Sequence, residues 1–168
     1  MPFVYTFASK TVAENYQVSA TANTEIDAAF VKAGATRALS IQGMRLQGKG
    51  VALTALTGLV ARLKKWTTTS SSAGTALAAA TADDRAPAAV STAAAGVAGG
   101  VAAVTSGTGG PSIVGGCGCG ASGPGGWVAA TPDNNIILDG GATKSVDLFS
   151  ASGGTVSLPY EFWIDIVE

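Results

Sequence analysis

Apolar positions along this chain recur every second residue more often than every third or fourth, which is the period of extended strands. The pattern is plainest near the end of the sequence, where Tyr160, Phe162, Ile164 and Ile166 share one parity and Glu161 and Asp165 lie opposite. A slip of one residue would bury both carboxylates, so the alternation sets the register. The opening Phe3-Val4-Tyr5-Thr6-Phe7 alternates aromatic with smaller residues. The two aromatic-rich segments are expected to pair in one sheet. Thr11 to Ala20 predicts another strand, with Val12, Tyr16 and Val18 on one parity and Glu14 as the exception. From Thr36 to Leu46, Leu39 and Ile41 share a face, then Gly43 lets Met44 and Leu46 change parity, as at a β-bulge. Ile136-Ile137-Leu138 reads as a short strand between turns at Thr131 to Asn135 and Asp139 to Gly141. Ser145 to Phe149 follows as a strand with Val146 and Leu148 on one face.

Two segments fit more than one template. Glu25 to Lys32 is ambiguous, because Ile26, Ala29 and Phe30 also describe one helical turn, though the segment is too short to stand alone as a helix. In Val51 to Trp66, Leu56, Leu59, Val60 and Leu63 fit a helical face, while Thr57, Leu59, Ala61 and Leu63 fit a strand face. The run continues into Trp66-Thr67-Thr68-Thr69, which favours strand. Ser70 to Ala80 is small and polar with Gly74 as a turn point. Asp83-Asp84-Arg85-Ala86-Pro87 reads as a surface turn, since proline biases the residue before it away from helix. Val90 to Val104 has weak β character, and Gly107 to Gly126 reads as a glycine-dominated loop. The sum is an all-β chain, a β-sandwich or jelly roll spanning 1–168 as one domain, with an uncharged Ala/Gly-rich loop region at about 86–132.

Composition narrows the function classes. Charged residues make up 12% of 168, against roughly 25% in an average soluble domain. Lys+Arg is 10 and Asp+Glu is 11, so no basic excess is present to hold nucleic acid. Histidine is absent, which removes the commonest general base and metal ligand. The chain is therefore expected to be no enzyme and to need no cofactor or metal. The opening residues lack the basic start and apolar core of a secretory signal. The uncharged stretch from Ala86 to Pro132 is built from Ala, Gly, Ser and Thr rather than the large apolar side chains of a membrane span. Cys117-Gly118-Cys119 places its thiols too close in sequence for an ordinary disulfide, so both are read as small side chains in a glycine loop or as contacts around a symmetry axis.

Each chemical motif has a weightier plain explanation. Gly118 to Gly123 matches G-x-G-x-x-G, but Pro124-Gly125-Gly126 follows where dinucleotide binding needs a helix. Thirteen glycines fall between Gly96 and Gly126, so a chance match is expected. Asp83-Asp84 and Asp133 beside Asn134 and Asn135 lack the spaced acidic pattern of a calcium loop. Glu161 and Asp165 would lie about 13 Å apart along one strand, outside the spacing that glycoside hydrolysis uses. Arg62, Lys64 and Lys65 beside Trp66 form the one basic cluster, read as a solvated face or a salt-bridged subunit contact.

Four segments carry a resemblance: Leu63 to Thr81 (LKKWTTTSSSAGTALAAAT), Gly118 to Ala129 (GCGASGPGGWVA), Ile137 to Gly154 (ILDGGATKSVDLFSASGG) and Leu158 to Glu168 (LPYEFWIDIVE). In this strand-then-Gly/Ser-turn style, over a little more than a third of its length, the chain resembles virion structural proteins of tailed bacteriophages, of the small jelly-roll type. The resemblance implies a capsid decoration (cement) protein, located in the virion after assembly in the host cytoplasm. It implies the major capsid protein or other virion proteins as partners and carries over no functional residue. A tail, collar or head-fibre component and a carbohydrate-binding sandwich are the alternatives. A homo-oligomer, a trimer or other ring, is expected, because an uncharged 86–132 region is a liability on a free monomer. Trp66, Trp127, Val97, Val101 and Val104 are the candidate contact residues; Phe162, Ile164 and Ile166 are the candidate core.

Overall fold

A computed structural model of the chain describes residues 2–9, 16–17, 25–48, 58–68, 70, 76–95, 104–120, 124–129, 135–141, 144–152 and 159–168. These residues form strands and no helix: β1 (Val4–Ala8), β2 (Tyr16–Gln17), β3 (Ile26–Lys32), β4 (Leu39–Gly48), β5 (Gly58–Trp66), β6 (Ala76–Leu77), β7 (Ala79–Ala80), β8 (Thr92–Ala95), β9 (Ser112–Gly120), β10 (Pro124–Val128), β11 (Ile136–Leu138), β12 (Ser145–Ser152) and β13 (Pro159–Val167). They build two antiparallel sheets packed as a sandwich. The first runs β10-β4-β13-β1-β7, with β11 also on β4 and β2 on β13; the second runs β6-β8-β3-β12-β5-β9. Among the described residues no helix is long and apolar enough to cross a membrane, which leaves strand-based crossing unaddressed.

The first sheet is organised around the closing strand. β13 lies between β4 and β1, with Tyr5 opposite Ile166 and Phe7 opposite Ile164. The expected pairing of the two aromatic-rich segments is thus present. Reciprocal hydrogen bonds between Phe3 and Glu168 extend it beyond the strand ends (3.1 and 3.2 Å). Tyr160, Phe162, Ile164 and Ile166 are all buried, whereas Glu161 and Asp165 are partly exposed on the other face. The parity change at Gly43 is also present. Asp165 pairs with Gly43 but Ile166 pairs with Ile41, which leaves Gln42 as the extra residue of a bulge. Leu39 and Ile41 before it, and Met44 and Leu46 after it, therefore all face the core.

The second sheet presents smaller residues to that core. Ala29 and Val31 of β3, Leu59, Ala61 and Leu63 of β5, Ala93 and Ala95 of β8, and Val146 and Leu148 of β12 meet the aromatic side chains of the first sheet. Stacked sheets of this kind lie about 10 Å apart, and the side chains of both inner faces fill that gap. Buried tyrosines keep their hydroxyls bonded. Tyr160 pairs with Ser150 Oγ across the sandwich at 2.9 Å, and Tyr5 donates to the Pro87 carbonyl at 2.8 Å.

The ambiguous segments settle as strands. Glu25 to Lys32 contains β3, and Val51 to Trp66 contains β5, with Leu59, Ala61 and Leu63 inward as the strand reading expects; residues 51–57 lie outside those described. Of the strand expected at Thr11 to Ala20, only β2 is described. Asp83 caps its surface turn by accepting from the Arg85 backbone N–H (3.0 Å) and guanidinium (3.0 and 3.1 Å). One expectation is corrected: Gly107 to Gly126, within the loop region assigned to 86–132, is not a loop throughout. It holds β9 and most of β10, and β8 lies in the same region. β9 runs along β5 from Gly58 opposite Gly120 to Lys65 opposite Ser112. Its partner supplies the β-forming side chains, so the ladder persists where the strand has almost none of its own.

Candidate functional site

Two places stand out from the sandwich core. The first is the outward face of β5 and β9. The register sets Val60 opposite Gly118 and Arg62 opposite Gly116. These two glycines floor a shallow apolar trough rimmed by Val60 and Ile113, which are 44% and 62% exposed. The floor is bare backbone because alternate residues carry no side chain.

The candidate contact residues do not gather there. Trp127, on β10, is half-buried against the core cluster, and its ring lies over the backbone of Gly115. Trp66 ends β5 on the other sheet, half-buried, with its ring 6.3 Å from that of Phe149. Val104 is buried, at 4% exposure, and its N–H donates to the Asp27 carbonyl at 2.8 Å, so it belongs to the chain's own packing and offers no surface. Val97 and Val101 lie outside the described residues. Cys117 sits in β9 against the core cluster, and the side chain of Cys119 is not described. Gly118 and Gly120 of the G-x-G-x-x-G match are strand residues; 121–123 lie outside the described set.

Gly115 decides how closely the edges of the two sheets approach. A Cβ there would sit 3.1 Å from Trp127 Cε2 and 3.3 Å from Cδ2. Gly115→Val is expected to push the indole outward at a cost of about 1–3 kcal/mol, typical of overpacking. Tryptophan emission should shift to the red with a lowered denaturation midpoint; an unchanged spectrum would show that the ring does not depend on this contact.

The basic cluster is spent within the chain. Arg62 donates to Glu25 at 2.6 Å, Lys64 binds the other oxygen of Glu25, and Lys65 donates to the Ile137 carbonyl at 2.8 Å. Burial raises the Glu25 carboxyl, but Lys64 and Arg62 outweigh it and hold the group below the usual glutamate value. On the first sheet, Asp165 accepts from Thr6 (2.6 Å) and Arg45 (3.1 Å).

The second place is a buried polar cluster on the outer side of the second sheet. Asp27 of β3 and Asp147 of β12 are 4% and 0% exposed. Asp27 accepts from Ser106 at 2.6 Å, and Asp147 accepts from Ser70. Ser145 and Ser70 are joined by a hydroxyl pair at 2.9 Å and by the Ser70 N–H at 3.1 Å. The Trp66 indole N–H interacts with Asp147 without reaching hydrogen-bond geometry. Burial, and then the neighbouring Asp147, push the Asp27 carboxyl up to about 9. Asp147 is also raised by burial, against the lowering effect of its hydrogen-bond partners. This pair escaped the sequence reading, although the signal was a single acid inside each of two otherwise apolar strands, IDAAFVK and SVDLF. Among the described residues no group of three or more acidic, cysteine or histidine side chains is placed to hold a metal.

No protein-family model matches the chain, and no curated protein matches it. Among solved structures, the chain is similar to one from the infectious bursal disease virus Gx strain, at 14% identity and a TM-score of 0.29, over 99% of this chain and 33% of that one. It is also similar to a mutant VP2 protein of infectious bursal disease virus from derived T=1 particles, at 17% identity and a TM-score of 0.20, over 99% and 40% respectively. The chain thus spans less than half the length of either.

Proposed function

We propose that the chain is a virion structural protein, and specifically a bacteriophage capsid decoration (cement) protein that binds the head shell through subunit contacts. One observation carries the reading: the flat outward face of β5 and β9, floored by Gly116 and Gly118 and rimmed by exposed Val60 and Ile113. A flat, aliphatic, glycine-floored surface suits close contact with another protein surface, where the energy comes from excluded water and shape match. Arg62 at its edge is already paired with Glu25, so covering the patch strands no unpaired charge there. The protein acts by surface complementarity rather than catalysis, its partner is the major capsid protein, and it assembles as a trimer or other ring. The all-β sandwich and the sequence resemblance to small jelly-roll virion proteins support the same reading.

The test is copy number, measured by quantitative mass spectrometry on purified particles of the virus that encodes the chain. Near parity with the shell protein is expected, and Ile113→Asp in the trough should abolish incorporation while the free protein remains folded by circular dichroism. A dozen or fewer copies would overturn the decoration reading in favour of a tail or vertex part. Absence from the particle would overturn the virion reading altogether.

A further inference from the structure

A segment of the chain closes over the two buried aspartates. Residues 104–110 bond to residues 67, 68 and 70 through the Thr68 N–H to the Thr108 carbonyl (3.3 Å), Thr67 Oγ1 to the same carbonyl (3.0 Å), and the Gly107 N–H to Ser70 Oγ (2.7 Å). This strap fits closely, since a Cβ on Gly107 would stand 2.3 Å from the Thr68 carbonyl oxygen and 3.0 Å from Trp66 Cβ. Its side-chain ties to the sheet run mainly through the carboxyls, Ser106 to Asp27 and Ser70 to Asp147, with Ser70 also held by Ser145.

Each carboxyl thus has one oxygen served by a strap serine. The other oxygen of each, Asp27 Oδ1 and Asp147 Oδ1, is buried and receives no bond from any other group. The two carboxyls are neighbours on paired strands, since Asp147 stands opposite Phe30 and Asp27 opposite Phe149, and the charge of each acts on the other. Strand β12 brings them together with a register shift between Leu148 and Phe149, which sets Phe149 opposite Asp27. Two adjacent buried carboxylates repel and are poorly solvated, whereas one proton between them satisfies both bare oxygens.

The charges around the pair do not replace that proton. Lys64 on β5 faces Asp147 across the ladder, but its amine binds Glu25 and lies 4.1 Å from the Phe149 ring centroid. Arg62 on the same strand also binds Glu25, and Lys32 on β3 pairs in register with Ser145. The described strap residues, 67, 68, 70 and 104–110, contain no ionisable side chain.

We propose that Asp27 and Asp147 share a single proton that latches the 104–110 strap onto the second sheet, and that its loss in alkaline solution releases the strap. With the proton gone, two facing carboxylates separate, the serine ties stretch, and water reaches Trp66 beneath Gly107. The inference stands independently of the proposed virion role.

The experiment is a carboxyl carbon-13 NMR titration of the full chain labelled at aspartate, combined with amide hydrogen exchange expressed as protection factors. One proton should stay on the pair through neutrality and leave near pH 9. Protection at Val104 and Gly107 should then fall on the order of tenfold or more, while β13 amides keep theirs. In Asp147→Asn the side-chain amide donates permanently to Asp27, so strap protection should no longer change across that range. Both carboxyls ionised at neutral pH would overturn the shared proton, and strap amides still protected after the titration would overturn the latch. Where the variant fails to fold, the titration of the unaltered protein decides both points.

Discussion

Phe162→Ala should cost about 3–5 kcal/mol of unfolding free energy, a large part of the roughly 5–15 kcal/mol that holds a domain together. Phe162 is fully buried on β13, which lies between β4 and β1 and forms a ladder with each. Its ring lies 6.4 Å from that of Tyr160, and its backbone N–H is bonded by Ser9 Oγ at 3.2 Å. The surrounding side chains come from two sheets with fixed ladders and cannot collapse into the space, so the cavity cost adds to the lost transfer energy. Urea denaturation should show a much lower midpoint at an unchanged slope. Val128→Ala is the control, since Val128 is 72% exposed and its loss should stay within about 0.5 kcal/mol. Equal effects at the two sites would contradict the assignment of β13 as the centre of the core.

Stability should fall as pH rises across most of the working range, the reverse of the usual carboxylate behaviour. The Asp27 carboxyl is raised from 3.8 to about 9 in the folded state. A raised group stabilises fully below its unfolded value and loses that contribution as pH climbs through the folded one. Between about pH 4 and pH 9 the folded chain therefore holds a proton that the unfolded chain has released, and stability falls as pH rises through that window. Glu25 acts in the opposite sense. Its lowered value stabilises above the ordinary glutamate value of 4.5, and that contribution is lost as pH falls through the folded value. The stability maximum is expected on the acidic side of neutrality, where the Asp27 contribution is largely retained and the Glu25 contribution is not yet lost. Urea midpoints from about pH 4 to about pH 9 check this, and Asp27→Asn should flatten the profile. A maximum at neutral pH or above would rule it out.

Some of this was written in local order along the chain. Tyr160 to Ile166 alternates so strictly that face, register and core membership follow from the residues alone, and Gly43 marked where β4 changes parity. Those features need no distant partner, because side chains on a strand alternate whatever lies beside it. Other features required the partner. Leu59 and Leu63 fit a helical and an extended template alike, and the ladders to β12 on one side and β9 on the other make the segment a strand. β9 itself was illegible, since SIVGGCGCG shows no apolar period; the β5 backbone and the Trp127 ring over Gly115 make it a strand. Asp27 and Asp147 stand 120 positions apart and look like solvent-facing acids on their strands. Only the packing of β3 against β12 beneath the 104–110 strap takes both from water and sets them side by side. Period and parity are properties of a segment and are readable from sequence, whereas burial of a polar group depends on what covers it, and that is a property of the folded whole.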